Sequence, residues 1–160
     1  MSFGKYLGKF AASGFAVAAV TALGLMSAST ASASVSVPGA FISKVVFAGV
    51  SAGNGSPLVN VQGSNFGRRP AGNMVTACQG KYMGYSFGTA FYFWDNTVGW
   101  RAGQPSDCIG IYIRQWTEHD IKFTFGSAYG TQPGYTLYSF DSYSLTIKGY
   151  TFNGIISGRS

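Results

Sequence analysis

Histidine occurs once in the 160 residues, cysteine twice, and only five side chains are acidic. Each shortage removes a class of chemistry. A Cys/His metal centre or a catalytic thiol needs partners close to the cysteines, and a single imidazole in the whole chain argues against both. His119 stands beside Asp120 and near Ser127, but no G-x-S-x-G elbow presents a nucleophile, and neighbouring residues of a strand point to opposite faces. His119-Asp120 therefore reads as the polarity of a hairpin loop. The acids are Asp95, Asp107, Glu118, Asp120 and Asp141, and Asp141 before Ser142 suits a turn. A small hydrolase working through paired carboxylates, with Asp95 and Glu118 as the pair to test, is the alternative they leave open. Asp95, Asn96 and Asp107 lack the D-x-D-x-D-G spacing of a calcium loop. No metal, cofactor or catalytic residue is predicted. Long helical periodicity is missing as well, and so is any concentration of basic charge, since Arg68-Arg69 is the only adjacent pair; this argues against a nucleic-acid partner.

The first 33 residues carry a different pattern. Lys5 and Lys9 precede Phe10 to Met26, which holds no charge and is rich in Ala, Val and Leu. Ala31-Ser32-Ala33 then fits the small-x-small pattern of a signal-peptide cleavage site, so cleavage is expected after Ala33, with the membrane met only during export. Without Lys5 and Lys9, nine basic residues face five acidic ones, a net charge of about +4. Such a balance favours mild attraction to anionic surfaces, such as teichoic acids or acidic glycans. In an exported chain, Cys78 and Cys108 read as one disulfide.

What is abundant is β-pattern. Ile109, Ile111 and Ile113 fall on alternate residues, as do Ile121, Phe123 and Phe125, with polar Thr117-Glu118-His119-Asp120 between the runs. Period two predicts a hairpin with one buried face, each large apolar side chain contributing roughly 1.5–3 kcal/mol when fully buried. Ser34 to Ala40 read as a short linker. Phe41 to Val50 is strand-like with mixed alternation, and Leu58 to Gln62 and Tyr143 to Ile147 alternate cleanly. Tyr82 to Phe87, Ala90 to Trp94, Tyr135 to Tyr138 and Tyr150 to Ile156 are β-prone. About seven to nine short strands separated by turn signals predict an all-β sandwich.

Three stretches carry a resemblance. They are Leu58-Val59-Asn60-Val61-Gln62-Gly63-Ser64-Asn65-Phe66-Gly67, then Trp116 to Phe125, then Asp141 to Gly149. In that order they resemble the immunoglobulin-like IPT/TIG domains, over most of residues 41–157, with a long cysteine-containing insertion at about 68–107 where the family has a shorter connection. The resemblance implies an immunoglobulin-like sandwich with a binding or spacer role, and it implies no catalytic residues.

The aromatic surplus suggests where binding would occur. By alternation Tyr112, Arg114 and Trp116 lie opposite Ile109, Ile111 and Ile113, and Trp94 and Trp100 fall in the insertion. These five are the candidate ligand-binding residues, since flat rings cover large areas at low entropic cost and stack on sugars or partner side chains. Alternatively the insertion, with Phe91, Tyr92 and Phe93, folds over that face and buries it. The expectation is a secreted, non-catalytic module that binds an extracellular glycan or cell-wall component, or a protein partner. A structural or inhibitory secreted protein is a further possibility.

Overall fold

The computed structural model describes residues 39–49, 55–76, 78, 83–131 and 134–157. The expected signal peptide, most of the linker and parts of the turns near Gly53 and Tyr82 lie outside these residues. Ten strands are present among them: β1 (Phe41–Ala48), β2 (Leu58–Ser64), β3 (Asn73–Met74), β4 (Tyr85–Ser86), β5 (Phe91–Asp95), β6 (Arg101–Ala102), β7 (Ile111–Trp116), β8 (Asp120–Phe125), β9 (Ser142–Ile147) and β10 (Tyr150–Ile155). They form two antiparallel sheets, one of six strands in the order β1-β2-β8-β7-β4-β3, the other of four in the order β10-β9-β5-β6. Together these make an all-β sandwich. The Tyr135 to Tyr138 stretch is irregular instead of a strand.

The β7–β8 hairpin lies within the larger sheet, as its alternation predicts. Ile111, Ile121, Phe123 and Phe125 are buried and Ile113 is half-buried. The Thr117 side chain closes the turn, its Oγ accepting from the Asp120 amide at 2.9 Å while the Thr117 amide donates to the Asp120 carbonyl at 2.9 Å. The smaller sheet supplies the facing layer. Phe91 meets Phe123 edge-on at 5.2 Å, and Phe93 meets Phe125 at 5.1 Å while stacking on Tyr143 at 5.6 Å. Offset and edge-on rings of this kind add to the stabilisation from area burial alone.

Residues 68–107 are therefore part of the sandwich itself. They provide β3 and β4 at one edge of the larger sheet and β5 and β6 in the smaller one. The Cys78–Cys108 disulfide ties this segment to the approach of β7, with Cα atoms 5.1 Å apart.

Two strands are irregular. The β1 register shifts between Ile42 and Lys44, and the β7 register shifts between Ile113 and Gln115. Each bulge inserts one residue and reverses which face the following side chains occupy. In β1 this explains the mixed alternation, because Ile42 is buried before the bulge while Val45 and Phe47 pack against the core after it. At another junction three backbones meet through glycine. The Gly110 amide donates to the Met83 carbonyl at 2.7 Å and the Gly126 amide to the Gly110 carbonyl at 2.8 Å, and a Cβ on Gly126 would overlap the Met83 carbonyl.

Candidate ligand-binding face

The five aromatic and cationic candidates do not share one surface. Beyond the β7 bulge Trp116 pairs with inward-facing Ile121 instead of standing opposite it. Its ring packs edge-on against Phe91 at 5.4 Å and near Phe66 at 6.5 Å, and its indole N–H donates to the Gly67 carbonyl at 2.8 Å. Trp116 thus belongs to the interior, contrary to strict alternation. Trp100 is buried too, between Phe93 at 5.5 Å and Phe125 at 5.3 Å. Both rings answer to the burial alternative, through Phe91 and Phe93 of the 68–107 segment, yet they do so inside the sandwich and not as a cover over the Tyr112 face.

Trp94 lies on the outer face of the smaller sheet, half-buried, with the Arg101 guanidinium 4.1 Å from its ring centre. Its neighbours there bond to one another. The Asn96 side-chain amide donates to Ser144 Oγ at 2.9 Å, Ser144 Oγ donates to Asn153 Oδ1 at 2.7 Å, and the Thr146 and Thr151 hydroxyls pair at 2.8 Å. The hydroxyl and amide side chains of that face thus satisfy one another, while the indole N–H of Trp94 is buried without a partner among the described residues.

The outer face of the larger sheet is organised differently. Tyr112 and Arg114 stand there, with the guanidinium 5.6 Å from the Tyr112 ring centre and Tyr85 edge-on to Tyr112 at 5.9 Å. Because of the bulge, Gln115 faces outward beside Arg114, opposite Lys122. Register carries the row onward, since Lys122 pairs with Asn60, and Asn60 with Val46 on β1. The next row is Asp120, Gln62 and Lys44. Lys44, Val46, Asn60, Gln62, Gln115, Asp120 and Lys122 line a groove of about 450 Å³ running over β1, β2, β8 and β7, with Arg114 next to Gln115 at its β7 edge. The side chains of Lys44, Asn60, Gln62, Gln115, Asp120 and Lys122 have no hydrogen-bond or ion-pair partner among the described residues. The Thr124 hydroxyl, paired across from Tyr112, is buried without a partner as well. Unengaged donors and acceptors gathered along a groove beside an aromatic ring can recognise a hydroxylated ligand.

The sequence reading named Tyr112 and Arg114 and missed the groove residues. Their signal was present. Asn60 and Gln62 alternate with Val59 and Val61, and Lys122 with Ile121 and Phe123, so the polar partners of each buried row mark the opposite face.

A second cleft of about 390 Å³ lies beside the disulfide, lined in part by Arg101, Ser106, Asp107 and Tyr135. Asp107 accepts the Gln104 amide at 2.8 Å, and desolvation raises its pKa while the Gln104 amide and the Arg101 charge pull it back. Asp95 is fully buried at the turn after β5, where its Oδ1 accepts the amides of Thr97 and Val98 at 2.9 and 3.0 Å. Desolvation raises its pKa against the Val98 amide, and the nearby Asp141 charge adds to the rise. Glu118 is exposed at the tip of the β7–β8 hairpin, where it accepts the Gly67 amide at 3.0 Å. Trp116 packs on Phe91 at the start of β5, whereas Asp95 closes that strand, so Asp95 and Glu118 occupy opposite ends of the sandwich. His119 is exposed, with Nδ1 3.3 Å from the Gly63 carbonyl.

No family model matches the chain, and no curated protein or solved structure shows significant similarity to it.

Proposed function

We propose that this protein is a secreted, non-catalytic binding module that takes a glycan outside the cell on the outer face of its six-stranded sheet. One observation carries the reading. On the smaller sheet Asn96, Ser144, Asn153, Thr146 and Thr151 bond among themselves, whereas on the larger sheet Lys44, Asn60, Gln62, Gln115, Asp120 and Lys122 have side chains unengaged among the described residues and converge on a groove beside Tyr112. Sugars present hydroxyls and a flat apolar ring face, which amide side chains and an aromatic ring complement.

The disulfide supports an oxidising, extracellular setting, and the pattern of residues 1–33 supports export. Among the described residues no helix is long and apolar enough to cross a membrane. The resemblance to IPT/TIG domains supports an immunoglobulin-like module with a binding or spacer role.

The test is affinity electrophoresis through gels containing soluble polysaccharides. Tyr112→Ala and the double variant Asn60→Ala/Gln62→Ala should lose retardation with melting temperatures unchanged, while Trp94→Ala should be retarded like the parent. Loss of retardation in Trp94→Ala alone would move the site to the other sheet.

A further inference from the structure

Three cations and one anion stand around the groove on the larger sheet: Lys44, Lys122 and Arg114 against Asp120. Neither lysine has an ion-pair partner among the described residues, and nor does Asp120. Resting on the glycan reading above, we infer that this groove takes a uronic-acid polysaccharide, laid across the strands with its carboxylates on Lys44, Lys122 and Arg114.

The register sets the direction of the chain. Lys44 is on β1, Lys122 two strands away on β8, and Arg114 on adjacent β7. With strands about 4.8 Å apart, the first two cations are separated by about 10 Å across the sheet and Arg114 follows after about 5 Å more. A polymer running along β8 would meet Lys122 and then the like charge of Asp120. One crossing the strands obliquely, from Lys44 in the Gln62–Asp120 row to Lys122 and Arg114 one row along, meets all three cations in turn.

Side-chain chemistry sets the class of polymer. The planar Arg114 fork matches a carboxylate bidentately, and the lysines act as point charges. Asn60, Gln62 and Gln115 can donate to or accept from hydroxyls, and Asp120 can accept from them. Tyr112 offers its face to a sugar ring, which a uronate chain carries in every residue and an acyclic polyol phosphate lacks. Charge complementarity thus favours an anionic chain, and the aromatic ring favours one built of rings.

The deciding experiment is calorimetric titration of the protein with three probes: oligogalacturonate, the same oligomer after reduction of its carboxyls, and poly(glycerol phosphate). Oligogalacturonate should bind about tenfold or more tightly than the reduced oligomer. It should weaken as ionic strength rises from about 0.01 to about 0.15 M, where the screening length falls from about 30 to about 8 Å. The double variant Lys44→Gln/Lys122→Gln should lose that tenfold preference while still binding the reduced oligomer, and Asp120→Asn should bind oligogalacturonate more tightly than the parent. Equal binding of the two oligomers, or an unaltered double variant, overturns the inference and leaves the glycan reading standing, whereas poly(glycerol phosphate) binding more tightly than either oligomer overturns both. Failure to bind any sugar polymer overturns both.

Discussion

Replacing Trp116 with alanine separates the bulged register of β7 from the regular one that simple alternation suggests. In the structure this side chain packs on Phe91 and Phe66 and donates an indole hydrogen bond to the Gly67 carbonyl. Truncating a core tryptophan costs about 3–5 kcal/mol. Trp116 is half-buried, which puts it at the lower end, about 3 kcal/mol, of which the hydrogen bond accounts for about 1 kcal/mol. For a domain of this size, about 3 kcal/mol lowers the melting temperature by about 12 °C. Trp116→Phe, which retains the ring contact and loses only the bond, should fall by about 4 °C. Thermal melts followed by far-ultraviolet circular dichroism measure both, and polysaccharide retardation well below the melts should match the parent. A Trp116→Ala protein that melts like the parent yet no longer binds would refute the inward placement and the bulge with it.

Reducing the Cys78–Cys108 disulfide, which spans 30 residues, should lower stability by about 3.5 kcal/mol on the chain-entropy account; equal urea midpoints with and without reductant would count against it. Burial raises the pKa of Asp95 from its ordinary value, so the folded state binds that proton more tightly than the unfolded one. Its contribution to stability therefore rises as pH falls from neutral through the raised pKa towards about pH 4, and it is a cost at neutral pH. Asp95→Asn should flatten the difference in urea midpoint between neutral and mildly acidic buffer, whereas Asp95→Ala, which loses the acceptor for the Thr97 and Val98 amides, should destabilise by about 1–2 kcal/mol; identical pH slopes in parent and Asn variant would argue against the assignment. Gly126→Ala places a methyl against the Met83 carbonyl and should cost about 1–3 kcal/mol, or abolish folding, as read by denaturant titration.

Much of the architecture was legible because two-residue periodicity survives wherever a strand is regular. Ile121, Phe123 and Phe125 on β8 and Tyr143, Leu145 and Ile147 on β9 alternate without interruption, and all six are buried. Legibility failed at the bulges. Nothing local in Ile113-Arg114-Gln115-Trp116 announces an extra residue, because the shift is imposed by pairing with Lys122 and Ile121 from the neighbouring strand. That one insertion turned Trp116 from an expected surface ring into an interior one. The segment from 68 to 107 was obscure for a related reason. Its strands β3, β4 and β6 are two residues long, too short to show a period, and hold their shape through cross-strand pairing, β3 with β4, β6 with β5, and β4 with β7 beyond the segment. Tyr112 and Arg114 could be placed because they precede the shift or sit at it. The groove depends on rows drawn from four strands, a juxtaposition that no single stretch contains.

The irregularity in β7 also changes how densely one side of a ribbon can be furnished. Along an ordinary strand, side chains on a given side recur about every 6.8 Å, whereas consecutive α-carbons are 3.8 Å apart. By sending Arg114 and Gln115 out together, the chain sets a guanidinium and an amide at the closer interval, side by side. Removing that one residue would restore the wider spacing and leave the indole of Trp116 facing inward opposite Ile121, so the extra peptide unit furnishes the outer surface while the core pairing stays intact.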